Sequence, residues 1–493
     1  MRDLFAAGRL CGACGVLGLA MLAPPEPARS QALEPQPAFS EAACDLPNLS
    51  QPVQMRLRCG TVSVPRNYGE PGAGIFKLAV VVVRSAEQPT LSDPVVYING
   101  GPGSPLTIYA DHQAQIPYAP RRDLILVDQR GTGRSEPGLC PDLNGRLLEA
   151  NIAVAAQPTD EALARRQAAY MACRDESVAH GIDLGDFGTE VTAQDFEWVR
   201  RALGVKRWNL YGESYGTTVA MTLTAMHPDT VRSAVLDSIY PPEPTPLWSS
   251  IVAGARGAFF AACARDGACS SAFPDLANSY RQALERLGKN PLSVIVPPQL
   301  RRPENRVELT ATLFEALIAN LIYYPSFYPN LPRLIERVRD GDGDGLGAVL
   351  AAVMAGRAAG SIGTNAAVEC RDRAHYRDRL SDGASVLDRM LLYGICDTWS
   401  PLGPAPLVPA GTDVPTLVLA GEFDPVAGPD LSRQVAQLIG RNSHWVEVAL
   451  VGHNVRAFSP CGAKIAAGFI DQPMLRPDIS CADRTAPIGF LPK

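Results

Sequence analysis

Short apolar runs recur along the first half of the chain, at Cys59–Val64, Phe76–Arg84, Pro94–Ile98 and Asp123–Val127, separated by polar and turn-forming residues. The later runs are short and apolar throughout, the pattern of strands buried on both faces of a sheet, and the first two are placed to pair as a hairpin. From Thr192 the spacing becomes helical. Phe196, Val199 and Leu203 fall on one face, Thr192 with Asp195 supplies an N-terminal signal, and Gly204 supplies a stop. A strand over Arg207–Tyr211, a helix over Thr217–His227 and a strand over Ser233–Ser238 follow. Strands and helices in turn predict an α/β fold with a mostly parallel sheet.

Prolines at Pro241, Pro242, Pro244 and Pro246 end this alternation, and helical periodicity without convincing strands runs from about Trp248 to Leu392. Alternation resumes with a strand at Pro415–Ala420, a helix near Leu431–Ile439, a strand at His444–Val451 and a last helix at Gly462–Ile470. The expected organisation is a signal peptide over 1–32, a first core part over 33–240, a helical cap inserted over 241–410, and a C-terminal core part over 411–493. No internal repeat is visible.

The 493 residues carry 45 Lys and Arg against 51 Asp and Glu, without a basic run, so the electrostatic footprint of a nucleic-acid binder is missing. Arg2 and Arg9, the apolar stretch Leu10–Leu22 and the small residues Ala28, Ser30 and Ala32 have the layout of a secretory leader. That stretch is shorter than the ~18 residues a spanning helix needs, so no membrane span is expected. Cleavage near Ser30 or Ala32 removes Cys11 and Cys14 and leaves an even set: Cys44, Cys59, Cys140, Cys173, Cys263, Cys269, Cys370, Cys396, Cys461 and Cys481. An even set in an exported chain favours disulfides. Their connectivity does not follow from the count; sequential pairing, which closes short loops, is the expectation. Asp340-Gly-Asp-Gly-Asp-Gly resembles the start of a calcium loop, but Ala351 stands at the twelfth position, where a bidentate Glu belongs. The histidines lack metal-ligand spacing, so neither metal nor cofactor is expected.

Gly212-Glu213-Ser214-Tyr215-Gly216 follows an apolar strand and opens a helix, the setting of a nucleophile elbow with Ser214 at its tip. A serine hydroxyl needs a histidine to take its proton and an acid to orient that histidine. In the hydrolase chain order the acid and then the histidine follow late strands, which selects Asp424 and His453. Glu422, Asp413 and Asp430 are the competing acids. Asn99-Gly100-Gly101-Pro102-Gly103 follows the strand Pro94–Ile98, so the N–H groups of Gly101 and Tyr215 are the expected oxyanion donors.

These motifs, with Asp128-Gln129-Arg130-Gly131-Thr132-Gly133-Arg134-Ser135, Gly421-Glu422-Phe423-Asp424 and Gly452-His453, stand in the order found in α/β-hydrolase peptidases. From about Cys44 to Cys481 the chain resembles the tripeptidyl aminopeptidase and proline iminopeptidase group. Its Cys461/Cys481 tail, and Cys396 followed by Trp399 and Pro401, resemble the tripeptidyl aminopeptidase branch, whose members are typically exported. Two departures bear on specificity: Asn99 stands where the group usually has His, and Asn454 where it usually has Gly.

The resemblance implies an α/β-hydrolase fold and an exported, periplasmic or extracellular serine exopeptidase acting from the N-terminus of small peptides, with no cofactor. An esterase on the same scaffold, a serine carboxypeptidase-like enzyme, suggested by Asn99 and Glu213-Ser214-Tyr215, and a non-catalytic binding protein remain alternatives. An aminopeptidase must hold an ammonium with carboxylates. Glu213 is expected either to contact substrate or to brace the elbow, and Glu369 and Asp372 are further candidates on the inserted segment. Oligomeric state is not legible.

Overall fold

The computed structural model describes residues 36–115, 121–156, 160–240, 248–296, 306–357, 360–373, 395–399, 403–484 and 486–492. The predicted leader lies outside them. The expected strands form as β2 (Leu57–Pro65), β3 (Ile75–Val83), β4 (Leu91–Ile98), β5 (Arg122–Val127), β6 (Trp208–Glu213), β7 (Val231–Asp237), β10 (Thr416–Gly421) and β11 (Ser443–Val448). An additional strand, β1 (Phe39–Ala42), lies just past the predicted leader and pairs antiparallel with β2. Together they make one nine-stranded sheet in the order β1-β2-β3-β5-β4-β6-β7-β10-β11. The sheet is antiparallel from β1 to the β3/β5 pair, where the expected β2–β3 hairpin lies, and parallel from β5 to β11.

The apolar runs are continuous because both faces of the sheet are covered, each by alternate residues. Val80, Val82, Val96, Ile98, Leu210 and Leu236 face one helical layer. Val81, Val83, Val95, Tyr97, Tyr211 and Val235 face the other. The first layer holds α1 (Leu143–Ala156), α2 (Asp160–Ala179), α3 (Thr189–Ala202) and α4 (Tyr215–Met226). The pattern reading assigned nothing to α1 and α2, whose apolar positions follow no sharp helical period. α3 begins a turn before its expected start, and Asp195 does not close a capping box. It pairs instead with the buried Arg130, at 2.7 and 2.6 Å, and accepts from Tyr68.

The inserted segment contains α5 (Trp248–Arg265), α6 (Leu276–Lys289), α7 (Ala311–Tyr323), α8 (Leu331–Asp340), α9 (Leu346–Arg357) and α10 (Ile362–Arg373). It also contains β8 (Leu292–Ile295) and β9 (Arg306–Leu309), an antiparallel hairpin that corrects the strandless expectation. These strands are four residues each, too short to register as a period. The segment divides between two cores. Phe259, Tyr280, Phe314, Ile335 and Val307 form a cluster of their own that reaches Phe423. Ala366, Ala367 and Cys370 of α10 pack instead with the helices on the sheet. The aspartate-glycine run is a turn between α8 and α9, where Asp342 pairs with Arg337 at 2.8 Å. α11 (Gly428–Ile439) and α12 (Pro460–Asp471) complete the layers.

The ten cysteines among the described residues are bonded in sequential order: Cys44–Cys59, Cys140–Cys173, Cys263–Cys269, Cys370–Cys396 and Cys461–Cys481. Loops of 6 to 33 residues closed this way each stabilise by about 2–4 kcal/mol. Among the described residues no helix is long and apolar enough to cross a membrane.

Candidate active site

Ser214 sits between the end of β6 and the first residue of α4 with φ 54° and ψ −127°. A non-glycine residue held there stores roughly 1–3 kcal/mol of strain, which the surrounding contacts must offset. The turn is closed by the Ser214 N–H donating to the Asp237 carbonyl at 3.0 Å. A side chain is impossible at Gly216, where a Cβ would lie 2.0 Å from the Ile98 carbonyl oxygen. The motif therefore brings α4 onto the end of β4, and with it the loop Asn99–Gly103. In that loop a Cβ on Gly100 would lie 2.6 Å from Ser214 Cβ, so the serine and the glycine loop face each other.

Asp424 and His453 arrive on the loops after β10 and β11. His453 Nδ1 lies 2.9 and 3.0 Å from the two carboxylate oxygens of Asp424, and both residues are buried. This fixes the imidazole with Nδ1 as donor and leaves Nε2, buried and without a hydrogen-bond partner among the described residues, as the acceptor. Asp424 is anchored in turn by the Val426 N–H at 2.8 Å. The competing acids are engaged elsewhere. Asp413 pairs with Arg441 and Asp430 with Arg433 at the surface, while Glu422 accepts from Leu450 N and pairs with Arg265 of α5.

A layer of charge lies behind the histidine. Asp237, at the end of β7, accepts from Val455 N at 2.8 Å, Arg456 N at 3.0 Å and Tyr211 Oη at 2.7 Å, and Asn454 N donates to Ser238 Oγ at 2.7 Å. The chain just past His453 is thus tied to the neighbouring strand end. Asp237 and Ser238 escaped the sequence reading, although a charged residue closing a buried apolar strand was a usable signal. Burial works against a charged His453, but the Asp424 charge and hydrogen bond, with Glu213 and Asp237 behind, outweigh it and raise its pKa above the ordinary imidazole value.

Glu213 is buried, accepting from Tyr97 Oη at 3.4 Å and from the Gly100 N–H. Burial raises its pKa, with Asp237 adding to the effect, against the pull of His453 and Arg456. The structure thus gives this carboxylate protein partners on β4 and the glycine loop. The Asp128 motif serves the same loop. Asp128 accepts from Leu106 N at 2.6 Å and Thr107 N at 2.9 Å, and Gln129 Nε2 donates to the Asn99 carbonyl at 2.8 Å.

Of the expected oxyanion donors, Tyr215 directly follows Ser214, and Gly101 follows Gly100, which faces Ser214. Tyr215 opens α4, so its N–H is one of the first-turn donors without a carbonyl four residues back. Gly101, at φ 118°, is held through its neighbours by α10: Ser361 N donates to the Gly103 carbonyl at 2.8 Å and Asn365 Nδ2 to the Pro102 carbonyl at 3.2 Å. The other end of α10 reaches Tyr215. Asp372 accepts from Thr189 N and Oγ1 at 2.9 and 2.6 Å, and Thr189 Oγ1 lies 3.0 Å from Tyr215 Oη. Burial pushes Asp372 up to about 7 against these hydrogen bonds. Glu369 accepts from Tyr240 Oη at 2.7 Å. Both acids singled out on the inserted segment therefore stand behind Tyr215, bonded to hydroxyls.

One contact had no signal in the sequence. The Tyr323 ring, at the end of α7, lies 4.6 Å from the His453 ring, tilted by 37°.

The family model described as "alpha/beta hydrolase fold" matches residues 93–459. A tripeptidyl aminopeptidase of Streptomyces coelicolor is 32% identical over 215 residues, covering 41% of this chain and 38% of that protein. A proline iminopeptidase of Neisseria gonorrhoeae is 24% identical over 148 residues, covering 30% of this chain and 33% of that one. The match thus spans well under half the length of these relatives. Among solved structures, a proline iminopeptidase of Mycobacterium smegmatis aligns over 84% of this chain and 98% of its own with a TM-score of 0.42 and 14% identity.

Proposed function

The chain belongs to the α/β hydrolase fold family, and on that premise we propose that it is an exported serine exopeptidase releasing residues or short peptides from the N-terminus of peptides. The observation that carries the reading is the Asp424–His453 pair, with a buried, unpartnered Nε2, on the same sheet edge as the strained Ser214. His453 takes the Ser214 proton as Oγ bonds to the scissile carbonyl carbon. The N–H groups of Gly101 and Tyr215 receive the charge that forms on the carbonyl oxygen. His453 then gives its proton to the leaving amine as the C–N bond breaks, and water repeats the sequence on the acyl-enzyme. The first part of the inserted segment acts as a cap that restricts access to chain ends.

Five disulfides support an exported protein, with removal of the leader near residue 30 as part of the proposal. The peptidase names of the relatives support peptide substrates over esters. Glu213 acts as a positioning residue beneath Gly100, Asp372 ties α10 to α3, and Glu369, behind Tyr215, is the carboxylate on the acyl side that suits an ammonium. Matched peptides blocked at one end test this reading. N-acetylation is expected to lower kcat/KM by about 100-fold, the loss of one charge-assisted bond, and C-terminal amidation to change it little. Sensitivity to the C-terminal block alone would favour the carboxypeptidase reading, and hydrolysis of esters without peptides an esterase.

A further inference from the structure

The site has two chemically unlike sides. On the side of Tyr215 stand carboxylates and hydroxyls. On the side of His453, rings of the inserted segment and Phe458 of the C-terminal core part form a series of contacts. Tyr323 packs on the imidazole at 4.6 Å, Tyr324 on Tyr323 at 4.7 Å, and Phe327 and Phe458 each on Tyr324 at 6.4 Å. Phe458 closes the short helix Val455–Phe458 that begins two residues past His453, and it is 39% exposed. A phenylalanine this exposed, joined through ring contacts to a buried histidine, leaves an apolar surface at the outer end of the series.

The series is fixed relative to the histidine. A Cβ on Gly452 would lie 2.6 Å from the Ile322 carbonyl oxygen and 2.5 Å from Tyr328 Oη. Tyr328 Oη in turn donates to the Ile322 carbonyl at 2.7 Å. The end of α7 therefore rests directly on the Gly452–His453 turn.

Reaction geometry says what meets these rings. The leaving nitrogen must come within about 3 Å of His453 Nε2 to take its proton. The side chain on that nitrogen's residue starts one bond further out, within reach of rings that begin at the imidazole itself. The acyl part of the substrate points the other way, toward the donors beside Tyr215. Resting on the peptidase reading, we infer that Tyr323, Tyr324, Phe327 and Phe458 form the subsite for the residue just C-terminal to the scissile bond. The subsite selects an aromatic or bulky apolar side chain there. None of the four rings carries a charge, so a charged side chain at that position would be desolvated without a partner.

The test uses the mature protein and two substrate series. In the first, peptides differ only in the residue after the scissile bond, Phe against Ala. In the second, esters of one acyl group differ only in the leaving alcohol, benzyl against ethyl. A kcat/KM preference of roughly 10- to 100-fold for the aromatic member is expected in each, the range one apolar pocket supplies. Phe458→Ala is expected to shrink that ratio by about 10-fold, and Phe327→Ala supplies a second reading should the first variant fold poorly. A purely structural effect would lower both members together and leave the ratio intact. Equal rates for aromatic and small members, or a ratio that survives both substitutions, overturns the subsite. If no peptide is cleaved, the peptidase reading falls, and the benzyl-to-ethyl ratio still decides the subsite.

Discussion

Two groups of buried carboxylates flank Ser214, and they are held in opposite ways. Behind His453, the acids Asp424, Glu213 and Asp237 gather around an imidazole and the Arg456 guanidinium. Behind Tyr215, Asp372 and Glu369 are bonded chiefly to hydroxyls, those of Thr189 and Tyr240. The first arrangement raises the pKa of His453, so negative charge there is set to favour the imidazolium that the proposed mechanism forms. The second leaves Asp372 titrating at about 7, a group that ties α10 to α3 rather than a charge set against the reacting atoms. Burial is common to both; the first group surrounds an imidazole, whereas in the second Asp372 is held by the Thr189 hydroxyl and backbone N–H and Glu369 by the Tyr240 hydroxyl, with Arg373 Nε 3.8 Å from Glu369.

The comparison breaks hardest at the histidine. Asp424→Asn keeps the shape but holds His453 in the wrong tautomer, and kcat is expected to fall by about 10⁴-fold, with the melting temperature little changed. A loss of 10-fold or less in steady-state assays would remove Asp424 from the unit. Next comes Asp237→Ala, which strands two backbone N–H donors and the Tyr211 hydroxyl in the interior. Stability measured by urea unfolding is expected to drop by about 3–5 kcal/mol, with kcat falling as the His453 turn loosens. An unchanged denaturation midpoint would contradict the anchoring role.

On the other side, Asp372→Asn separates a structural acid from a charge-storing one. The folded protein keeps the Asp372 proton up to about pH 7, while the unfolded chain releases it near the ordinary carboxylate value of 3.8. Wild-type stability from this group is therefore lost as pH rises from about 4 through 7, by on the order of 2–4 kcal/mol. The Asn variant should match wild type below pH 4 and exceed it above pH 7. Parallel stability curves would show that Asp372 does not titrate as the geometry implies. The smallest effect is expected for Glu213→Gln, which removes one of the carboxylates that raise His453. On the proposed mechanism His453 must be neutral to act as base, so kcat/KM rises with pH through its pKa, and the variant's acidic limb should move to lower pH. An upward shift would contradict the field assigned to Glu213.

The legible part of this molecule was the part that follows period and chain order. Fully apolar runs gave the sheet strands to within a few residues, because strands covered on both faces cannot afford polar positions. The order Ser214, Asp424, His453 brought together a buried pair whose loops the sequence had correctly placed after β10 and β11. The β8–β9 hairpin was hidden by its length, and α1 and α2 by weak periodicity. Asp195 read as a cap because spacing alone does not reveal Arg130, 65 residues away, as its partner. Asp237, α10 and Tyr323 acquire their roles through contacts between distant segments, for which a single sequence carries no register.

In the proposed mechanism Ser214 is a nucleophile activated by His453. A fluorophosphonate probe followed by peptide mapping in a mass spectrometer tests it most directly. The account predicts one adduct, on Ser214, forming at a rate that rises with pH through an ionisation above the ordinary imidazole value and that collapses in His453→Ala. An adduct on another residue, or equal labelling of Ser214→Ala, would contradict it.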